Sequence, residues 1–271
     1  MKKRLITAAI GLPILILVLF VLPDICMMFV AASAVAIAAY ELLWRTGLVK
    51  HLRLVIYSAT MAAFCGVQSY FGLDYAWLFL GILVFVCLVF AELLISHGKL
   101  PFAQIGLCMV GGVLVPYMVC ALVRIRVMEH GVFLIAVPFI AAFMSDASAY
   151  FAGRFLGKHK LAPNISPNKT IEGVIGGVVG AVSGMLIFGL ILWLGFSFKV
   201  NFLFAAIYGL VGSGLGVCGD LCFSAIKRQT GIKDYGNLFP GHGGIVDRLD
   251  SLSIVSPAME LLLLLIPLAV K

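Results

Sequence analysis

Charged residues are scarce in this chain of 271 residues. They make up 11% of it, whereas hydrophobic residues make up 63%. Soluble domains contain about 25% charged and about 45–50% apolar residues. A soluble fold of this size cannot bury so much apolar surface, so lipid must be its main solvent. The scarcity of charge therefore excludes an ordinary soluble domain and predicts an integral membrane protein.

Other signatures are missing as well. The seven cysteines lie in or beside apolar runs without the paired loop spacing of a disulfide framework or zinc site, which predicts small buried hydrophobic residues. No G-x-x-x-x-G-K-S/T sequence occurs, so a phosphate site in this chain is not a P-loop. The net charge is +7, but the basic residues flank apolar runs, where they meet anionic headgroups. We therefore predict no nucleic-acid partner.

What the chain does contain is a series of apolar runs. A helix needs about 20 apolar residues to cross the hydrocarbon core. Nine runs approach or exceed that length, so we predict an all-α, polytopic protein with about nine transmembrane helices. The first run is long for a signal peptide, and we expect it to remain as a span. The predicted spans are 5–22, 25–43, 54–72, 75–95, 103–123, 132–152, 171–195, 201–221 and 251–270.

Basic residues orient these spans. With the N-terminus in the cytoplasm, fifteen of the 19 lysines and arginines fall on the cytoplasmic side. This is a strong positive-inside bias. It predicts a cytoplasmic N-terminus and places the two longest polar loops, 153–170 and 222–250, on the cytoplasmic side.

One polar segment follows the eighth run. If that helix continues beyond the membrane, Asp220, Ser224 and Lys227 or Arg228 form one stripe on its surface. The Pro-Gly-His-Gly-Gly sequence at 240–244 cannot be a regular helix, and its glycines allow close approach of backbone to a ligand. Asp247 and Asp250 then lie three residues apart at the predicted start of the ninth helix.

Phosphate chemistry accounts for this combination better than helix capping does. Phosphoryl or nucleotidyl transfer needs cations that gather phosphates and neutralise charge in the transition state. Asp220 and Asp247 supply oxygen ligands suited to Mg²⁺, and the backbone near Gly243 and Gly244 could hold a phosphate. His242 is either an acid–base group or a hydrogen-bond donor. The candidate cations are Lys227, Arg228, Lys233 and Arg248.

A second polar segment surrounds the loop at 153–170. Asp146, Tyr150 and Arg154 have the spacing of one helical stripe, and the loop contains four basic residues and no acidic one. The run 166–170, with a proline near its start, predicts a helix N-terminus that offers free N–H groups to a phosphate. This loop is either part of a site or an anchor on lipid headgroups. Glu41 and Glu92, at the ends of apolar runs, either serve a site or extend to the membrane surface.

These residues resemble the signature of the phosphatidate cytidylyltransferase (CDP-diacylglycerol synthase) family. The matching positions are Ser224-x-Ile226-Lys227-Arg228-x4-Lys233-Asp234-x-Gly236-x2-Phe239-Pro240-x-His242-Gly243-Gly244-Ile245-x-Asp247-Arg248-Leu249-Asp250. The 145–173 region is also similar, through Ser145-Asp146, Tyr150, Gly153-Arg154, Gly157-Lys158 and Ser166-Pro167-x-Lys169-Thr170-x-Glu172-Gly173. Together the two regions cover about a fifth of the chain.

The resemblance implies that CTP and phosphatidate are converted into CDP-diacylglycerol and pyrophosphate with Mg²⁺, by a homodimer in the bacterial inner membrane. It implies metal binding by Asp220 and Asp247 and phosphate binding by Lys227, Arg228, Lys233 and Arg248. The expected organisation is about five N-terminal spans in 1–130 and a catalytic region in 131–271. The expected substrate-binding residues are Asp146, Tyr150, Arg154, Lys169, Ser224, Asp234, His242, Gly243, Gly244 and Asp250.

Two other functions share some of these features. A CTP-dependent polyprenol kinase would transfer the γ-phosphate instead of the cytidylyl group. A transporter would also contain intramembrane acids and spans interrupted by glycine. The polar residues here gather at one membrane face rather than at the midplane, which favours an enzyme.

Overall fold

A computed structural model describes residues 2–72, 74–239, 241 and 243–270, with the side chains of 2–8 excepted. Helices dominate it. The N-terminal helices are α1 (Lys2–Ile16), α2 (Asp24–Tyr40), α3 (Leu52–Phe71), α4 (Tyr75–Ile95), α5 (Phe102–Met109), α6 (Val115–Val119), α7 (Ala121–Val127) and α8 (Gly131–Leu134). π-helical segments at Leu17–Val21, Glu41–Arg45 and Val110–Leu114 extend α1, α2 and α5.

The C-terminal half adds the longest helices and four short strands. They are α9 (Ala136–Leu156), β1 (Lys160–Ala162), β2 (Ser166–Thr170), α10 (Ile171–Phe196), β3 (Lys199–Val200), α11 (Phe202–Thr230), α12 (Val246–Leu249), α13 (Leu252–Leu265) and β4 (Ala269–Val270). The strands form two antiparallel pairs, β1 with β2 and β3 with β4. The predicted all-α, polytopic class is confirmed, since the strands are minor additions.

Seven helical segments of the described chain are long and apolar enough to cross a membrane: Asp24–Arg45, Leu52–Phe71, Tyr75–Ile95, Phe102–Val127, Gly131–Leu156, Ile171–Phe196 and Phe202–Thr230. They correspond to seven of the nine predicted spans. The first predicted span corresponds to a shorter apolar helix at Ala9–Val21. The last contains α13, whose 14 residues rise only about 21 Å, short of the roughly 30 Å of the hydrocarbon core. Nine crossings and the N-terminal orientation stay predictions.

The chain divides into two compact units. The first contains Met1–Val132 and Lys227–Leu249, and the second contains Phe133–Ile226 and Asp250–Lys271. The first unit has a core of α2, α3, α4 and the α5–α6 region. Cys65, Cys108 and Cys120 are buried there, as predicted for small hydrophobic residues, whereas Cys87, Cys218 and Cys222 are exposed on helix surfaces. All seven cysteines are unpaired.

In the second unit α9 and α10 pack closely because glycines line their contact. A Cβ atom added at Gly176 or Gly180 would overlap Ala152 or Ser148 of α9. Further along, a Cβ at Gly184 would lie 2.8 Å from Met144 Cγ. Small residues let the two backbones approach in the way that favours helix association in lipid.

The hairpin of β1 and β2 connects these two helices. Glu172, in the first turn of α10, accepts hydrogen bonds from the backbone N–H groups of Lys158 (3.0 Å) and His159 (3.2 Å). Its Oε1 also lies 2.6 Å from His159 Nδ1. These contacts fix the start of the hairpin against α10. The predicted helix start at 166–170 is wrong: Ser166–Thr170 pairs as a strand, Pro167 lies within it, and the helix begins at Ile171.

The eighth predicted span continues beyond its apolar run, which was the condition for a stripe of Asp220, Ser224 and Lys227 or Arg228. Helix α11 runs without interruption to Thr230, so residues 222–230, expected in a loop, are helical. Gly231 ends the helix with φ +70°, a conformation that glycine adopts without steric cost. The N–H of Ile232 then donates to the carbonyl of Lys227 (3.1 Å). The polar loop of this region therefore begins at 231 rather than 222.

Candidate active site

A pocket of about 480 Å³ lies in the second unit. Its walls come from α9, β2, α10 and α11. It therefore contains residues that come before the hairpin in the chain, residues of the hairpin and residues that come after it. Two acidic and two basic side chains face it, together with small residues that leave room. The lining residues are Asp146, Ala149, Tyr150, Gly153, Arg154, Asn168, Lys169, Thr170, Gly173, Val174, Val217 and Asp220.

An ion pair joins two walls of this pocket. Lys169 Nζ of β2 contacts Asp220 Oδ2 of α11, and Ser224 Oγ donates to Asp220 Oδ1 (3.2 Å). The Lys169 and Asp220 side chains remain 22% and 28% exposed. They are therefore held in place yet still accessible to a ligand. The sequence predicted that the 146–173 region and Asp220 belong to one site, and the structure brings them together.

The stripe predicted on the sixth span is also present. Asp146, Tyr150 and Arg154 lie on α9 and line the pocket. Arg154 Nη1 donates a 2.8 Å hydrogen bond to the Tyr150 hydroxyl, and both side chains are exposed. The hydroxyl thus holds the guanidinium beside the pocket. Five planar donors in a guanidinium suit a phosphate, which accepts two parallel hydrogen bonds.

Thr170 closes the pocket where β2 meets α10. Its hydroxyl accepts a 3.1 Å hydrogen bond from the N–H of Gly173, so it is the N-cap of α10. A Cβ added at Gly153 would lie 2.9 Å from this hydroxyl. The glycine therefore lets α9 approach the N-terminus of α10, which is the positive end of the helix dipole.

The first unit holds a second polar cluster, centred on Asp247. Lys227 Nζ donates to Asp247 Oδ1 (2.9 Å), while the backbone N–H groups of Tyr235 (2.8 Å) and Gly244 (3.0 Å) both donate to Oδ2. The Lys227 and Asp247 side chains are only 14% and 4% exposed. Lys227 also lies over the buried ring of Tyr235, with Nζ 5.5 Å from its centre. Asp247 therefore holds both a cation and the loop in place.

Glycine conformation shapes the loop before Asp247. Gly243 has φ +83°, and a Cβ added there would lie 2.6 Å from Asp247 Oδ2. The N–H of Phe239 donates to the carbonyl of Gly243 (2.9 Å), closing a tight turn. The prediction that this segment is not a regular helix is confirmed. His242 lies outside the described residues.

The remaining predicted residues of this segment are more accessible. Arg228, Lys233, Asp234 and Arg248 are exposed in the first unit. Asp250 is half-buried in the second unit, where its Oδ1 accepts a 2.8 Å hydrogen bond from the N–H of Ser251. The exposed cations suit contact with solvent or anionic groups, whereas Asp250 contacts the backbone directly before α13.

Metal binding can be tested on the donors present. Within the described part of the chain, no group of three or more His, Cys, Asp or Glu residues is arranged to hold a metal ion. Mg²⁺ commonly binds through one or two carboxylates, with water and substrate phosphates completing its shell. The accessible Asp220 fits that mode. Asp247 already accepts three hydrogen bonds, and a carboxylate has about four acceptor positions.

Sequence reasoning did not assign Asn168, Thr170 or Tyr235 to the site, and it left the role of Glu41 open. Asn168 and Thr170 line the pocket, and Tyr235 is completely buried beside Lys227. Glu41 is 4% exposed and accepts a 3.0 Å hydrogen bond from the N–H of Val246. Helical spacing could not have found these contacts, because each depends on how distant segments meet.

The fold and these clusters define a polytopic helical membrane protein with polar, phosphate-compatible sites. A sequence model of the cytidylyltransferase family matches residues 2–266. Phosphatidate cytidylyltransferase of Bacillus subtilis is 31% identical over 285 residues, covering 98% of this chain and 98% of that protein. The chain therefore belongs to the cytidylyltransferase family.

Other relatives match over a shorter stretch. Phosphatidate cytidylyltransferase of Staphylococcus saprophyticus is 34% identical over 136 residues, or 50% of this chain and 51% of that protein. The enzyme of that name from Haemophilus influenzae is 35% identical over 133 residues, or 47% of this chain and 44% of that protein. These matched segments thus span about half the length of those relatives.

Proposed function

We propose that this protein transfers the cytidylyl group of CTP to phosphatidate, forming CDP-diacylglycerol and pyrophosphate. The observation that carries the proposal is the pocket of the second unit, where Arg154, Lys169 and Asp220 gather in a member of this family. Anionic substrates need these cations, and the carboxylate suits the Mg²⁺ that accompanies nucleotides.

The proposed step is an in-line displacement. A phosphate oxygen of phosphatidate forms a bond to the α-phosphorus of CTP, and the bond from that phosphorus to the β-bridging oxygen breaks. Pyrophosphate leaves with the bonding electrons. The attacking oxygen is already anionic at neutral pH, so the step needs no strong general base. Positioning and neutralisation of charge are therefore the main tasks of the protein.

The pocket residues suit those tasks. Arg154, oriented by the Tyr150 hydroxyl, binds a phosphate group through paired N–H donors. Lys169 contributes a second cation from β2, and Asp220 keeps it in position until substrate enters. Mg²⁺, where bound, supplies further positive charge to the triphosphate. The Thr170 cap directs the N-terminus of α10 to the same pocket.

The roles inferred for the first unit's cluster stay predictions. Asp247 is expected to be the other metal ligand and Lys227 to bind phosphate; their ion pair holds the Lys227 side chain in place. Arg228, Lys233 and Arg248 are expected to contact phosphates. We also propose a homodimer in the inner membrane with its site facing the cytoplasm. The positive-inside bias and the bacterial relatives support this location.

The test uses purified protein in detergent with phosphatidate, Mg²⁺ and CTP labelled at either the α- or the γ-phosphate. We expect the α-label to enter the lipid fraction as CDP-diacylglycerol and the γ-label to leave as pyrophosphate. Transfer of the γ-label to lipid would instead identify a lipid kinase. Solute uptake into proteoliposomes without CTP turnover would identify a transporter.

A further inference from the structure

Glu41, near the end of the apolar segment Asp24–Arg45, is an acid that the catalytic scheme above does not use. It begins the π-helical segment Glu41–Arg45 that follows α2. Its side chain is packed inside the protein, because Glu41 is only 4% exposed. A buried carboxylate is costly unless hydrogen bonds or charges compensate it. Its partner therefore indicates its role.

That partner is the glycine-containing loop of the same unit. Glu41 Oε2 accepts a 3.0 Å hydrogen bond from the N–H of Val246, 205 residues further along the chain. Val246 is the first residue of α12, directly before Asp247. The bond thus connects the segment that follows α2 to the residue that precedes the central carboxylate of the cluster.

Two glycines make room for this contact. A Cβ added at Gly236 or at Gly244 would overlap the Glu41 carboxylate. The backbone therefore packs directly against the Glu41 carboxylate at both glycines, and only glycine leaves the space at these two positions. This fit explains two glycines of the signature segment that have ordinary negative φ values and so need another reason to be glycine.

Gly244 links Glu41 to Asp247. The position that a Cβ of Gly244 would occupy lies against the Glu41 carboxylate. The N–H of Gly244 donates to Asp247 Oδ2 (3.0 Å). Asp247 in turn holds Lys227 through its other oxygen (2.9 Å). A displacement of Glu41 would therefore move Gly244 and loosen Asp247 and Lys227.

We propose that Glu41 is a positioning residue for the reaction: it fixes the 235–247 loop and, through Gly244 and Val246, orients Asp247 and Lys227. It acts without touching substrate. The inference rests on the proposed function for its catalytic consequence, but the positioning itself is a property of the loop that can be measured without substrate.

The test compares Glu41→Ala, Glu41→Gln and wild type. Glu92→Ala is the matched control, because Glu92 is another acid near the end of a span of the same unit and accepts from Tyr57 (3.2 Å) and Arg53 (3.4 Å) instead of from the loop. Hydrogen exchange is followed in peptides from 235–249 and, for comparison, in peptides from 171–196. Steady-state kinetics with CTP give kcat and KM separately.

For Glu41→Ala we expect exchange in 235–249 to become about tenfold faster, the factor for losing a hydrogen bond to a charged group, with 171–196 unchanged. We expect kcat to fall about 100-fold, as for a displaced catalytic group. Glu41→Gln keeps an oxygen acceptor for Val246 and should recover most of both losses. Glu92→Ala should leave exchange in 235–249 unchanged.

Unchanged exchange in 235–249 for Glu41→Ala would overturn the inference, and so would faster exchange spread equally over both peptide sets. A glutamine variant as impaired as the alanine variant would also overturn it. Wild-type protein that forms no CDP-diacylglycerol would refute the proposed function instead, while the exchange comparison would still decide whether Glu41 positions the loop.

Discussion

Replacing Asp247 with asparagine isolates the charge of the first unit's cluster from its shape. In the wild-type protein the backbone N atoms of Tyr235 and Gly244 lie 2.8 and 3.0 Å from Asp247 Oδ2. Asparagine keeps a carbonyl oxygen that can accept both of these hydrogen bonds. It removes the negative charge 2.9 Å from Lys227 Nζ. Lys227 is then left with an amide in place of its counter-charge, while its side chain is 14% exposed.

The size of the effect follows from that burial. Breaking a buried ion pair by removing one partner costs about 3–5 kcal/mol, and the retained backbone hydrogen bonds favour the lower end, about 3 kcal/mol. For a protein of this size that corresponds to a fall of roughly 6–12 °C in the midpoint of thermal unfolding. Because the variant also loses the predicted metal ligand, we expect CDP-diacylglycerol formation to fall by about 100-fold or more.

A second substitution separates stability from activity. In Asp247→Asn/Lys227→Met no uncompensated charge remains, so the unfolding midpoint should recover by more than half while activity stays low. Unfolding is measured in detergent, and activity by the formation of CDP-diacylglycerol from CTP and phosphatidate. An Asp247→Asn protein with activity within threefold of wild type and an unchanged midpoint would refute both the structural and the catalytic reasoning.

Three further changes test other contacts. Lys169→Met removes the cation paired with Asp220 and should lower kcat about 100-fold; a decrease below threefold would contradict its role. Gly243→Ala places a Cβ 2.6 Å from Asp247 Oδ2 at φ +83° and should lower activity and the unfolding midpoint. Gly214→Ala, whose Cβ meets nothing within 4 Å, should change neither activity nor the unfolding midpoint. If Gly214→Ala lowered both as much as Gly243→Ala does, the steric argument would be refuted. Thr170→Val removes the N-cap of α10 and should cost about 1 kcal/mol of unfolding free energy; an unchanged midpoint in thermal unfolding would count against it.

Features that depend on local periodicity could be predicted from the sequence. The spacing of Asp146, Tyr150 and Arg154 indicates one helix face, and all three line the pocket. Hydropathy likewise located the long spans, because crossing lipid requires a continuous apolar run. Asp220 lines the same pocket and pairs with Lys169 of β2, in keeping with the attraction between the acidic and basic residues of the two polar segments.

Tertiary contacts could not be predicted from the sequence, for two physical reasons. The bond from Glu41 to Val246 joins residues 205 positions apart, and no local pattern records such a meeting. At 166–170 the proline suggested a helix start, but pairing with β1 satisfies the backbone there and delays the helix to Ile171. Local propensity is a weak guide where strand pairing competes with it.

The glycines in the contact between α9 and α10 limit which substitutions this family can accept. Gly176 and Gly180 do not line the pocket described above, yet a methyl group at either position would overlap Ala152 or Ser148. Such a change would push apart the two helices that carry Arg154 and the Thr170 cap, and so widen the pocket from a distance. A survey of natural or selected variants should therefore find these positions in the helix contact as intolerant of substitution as the charged residues themselves.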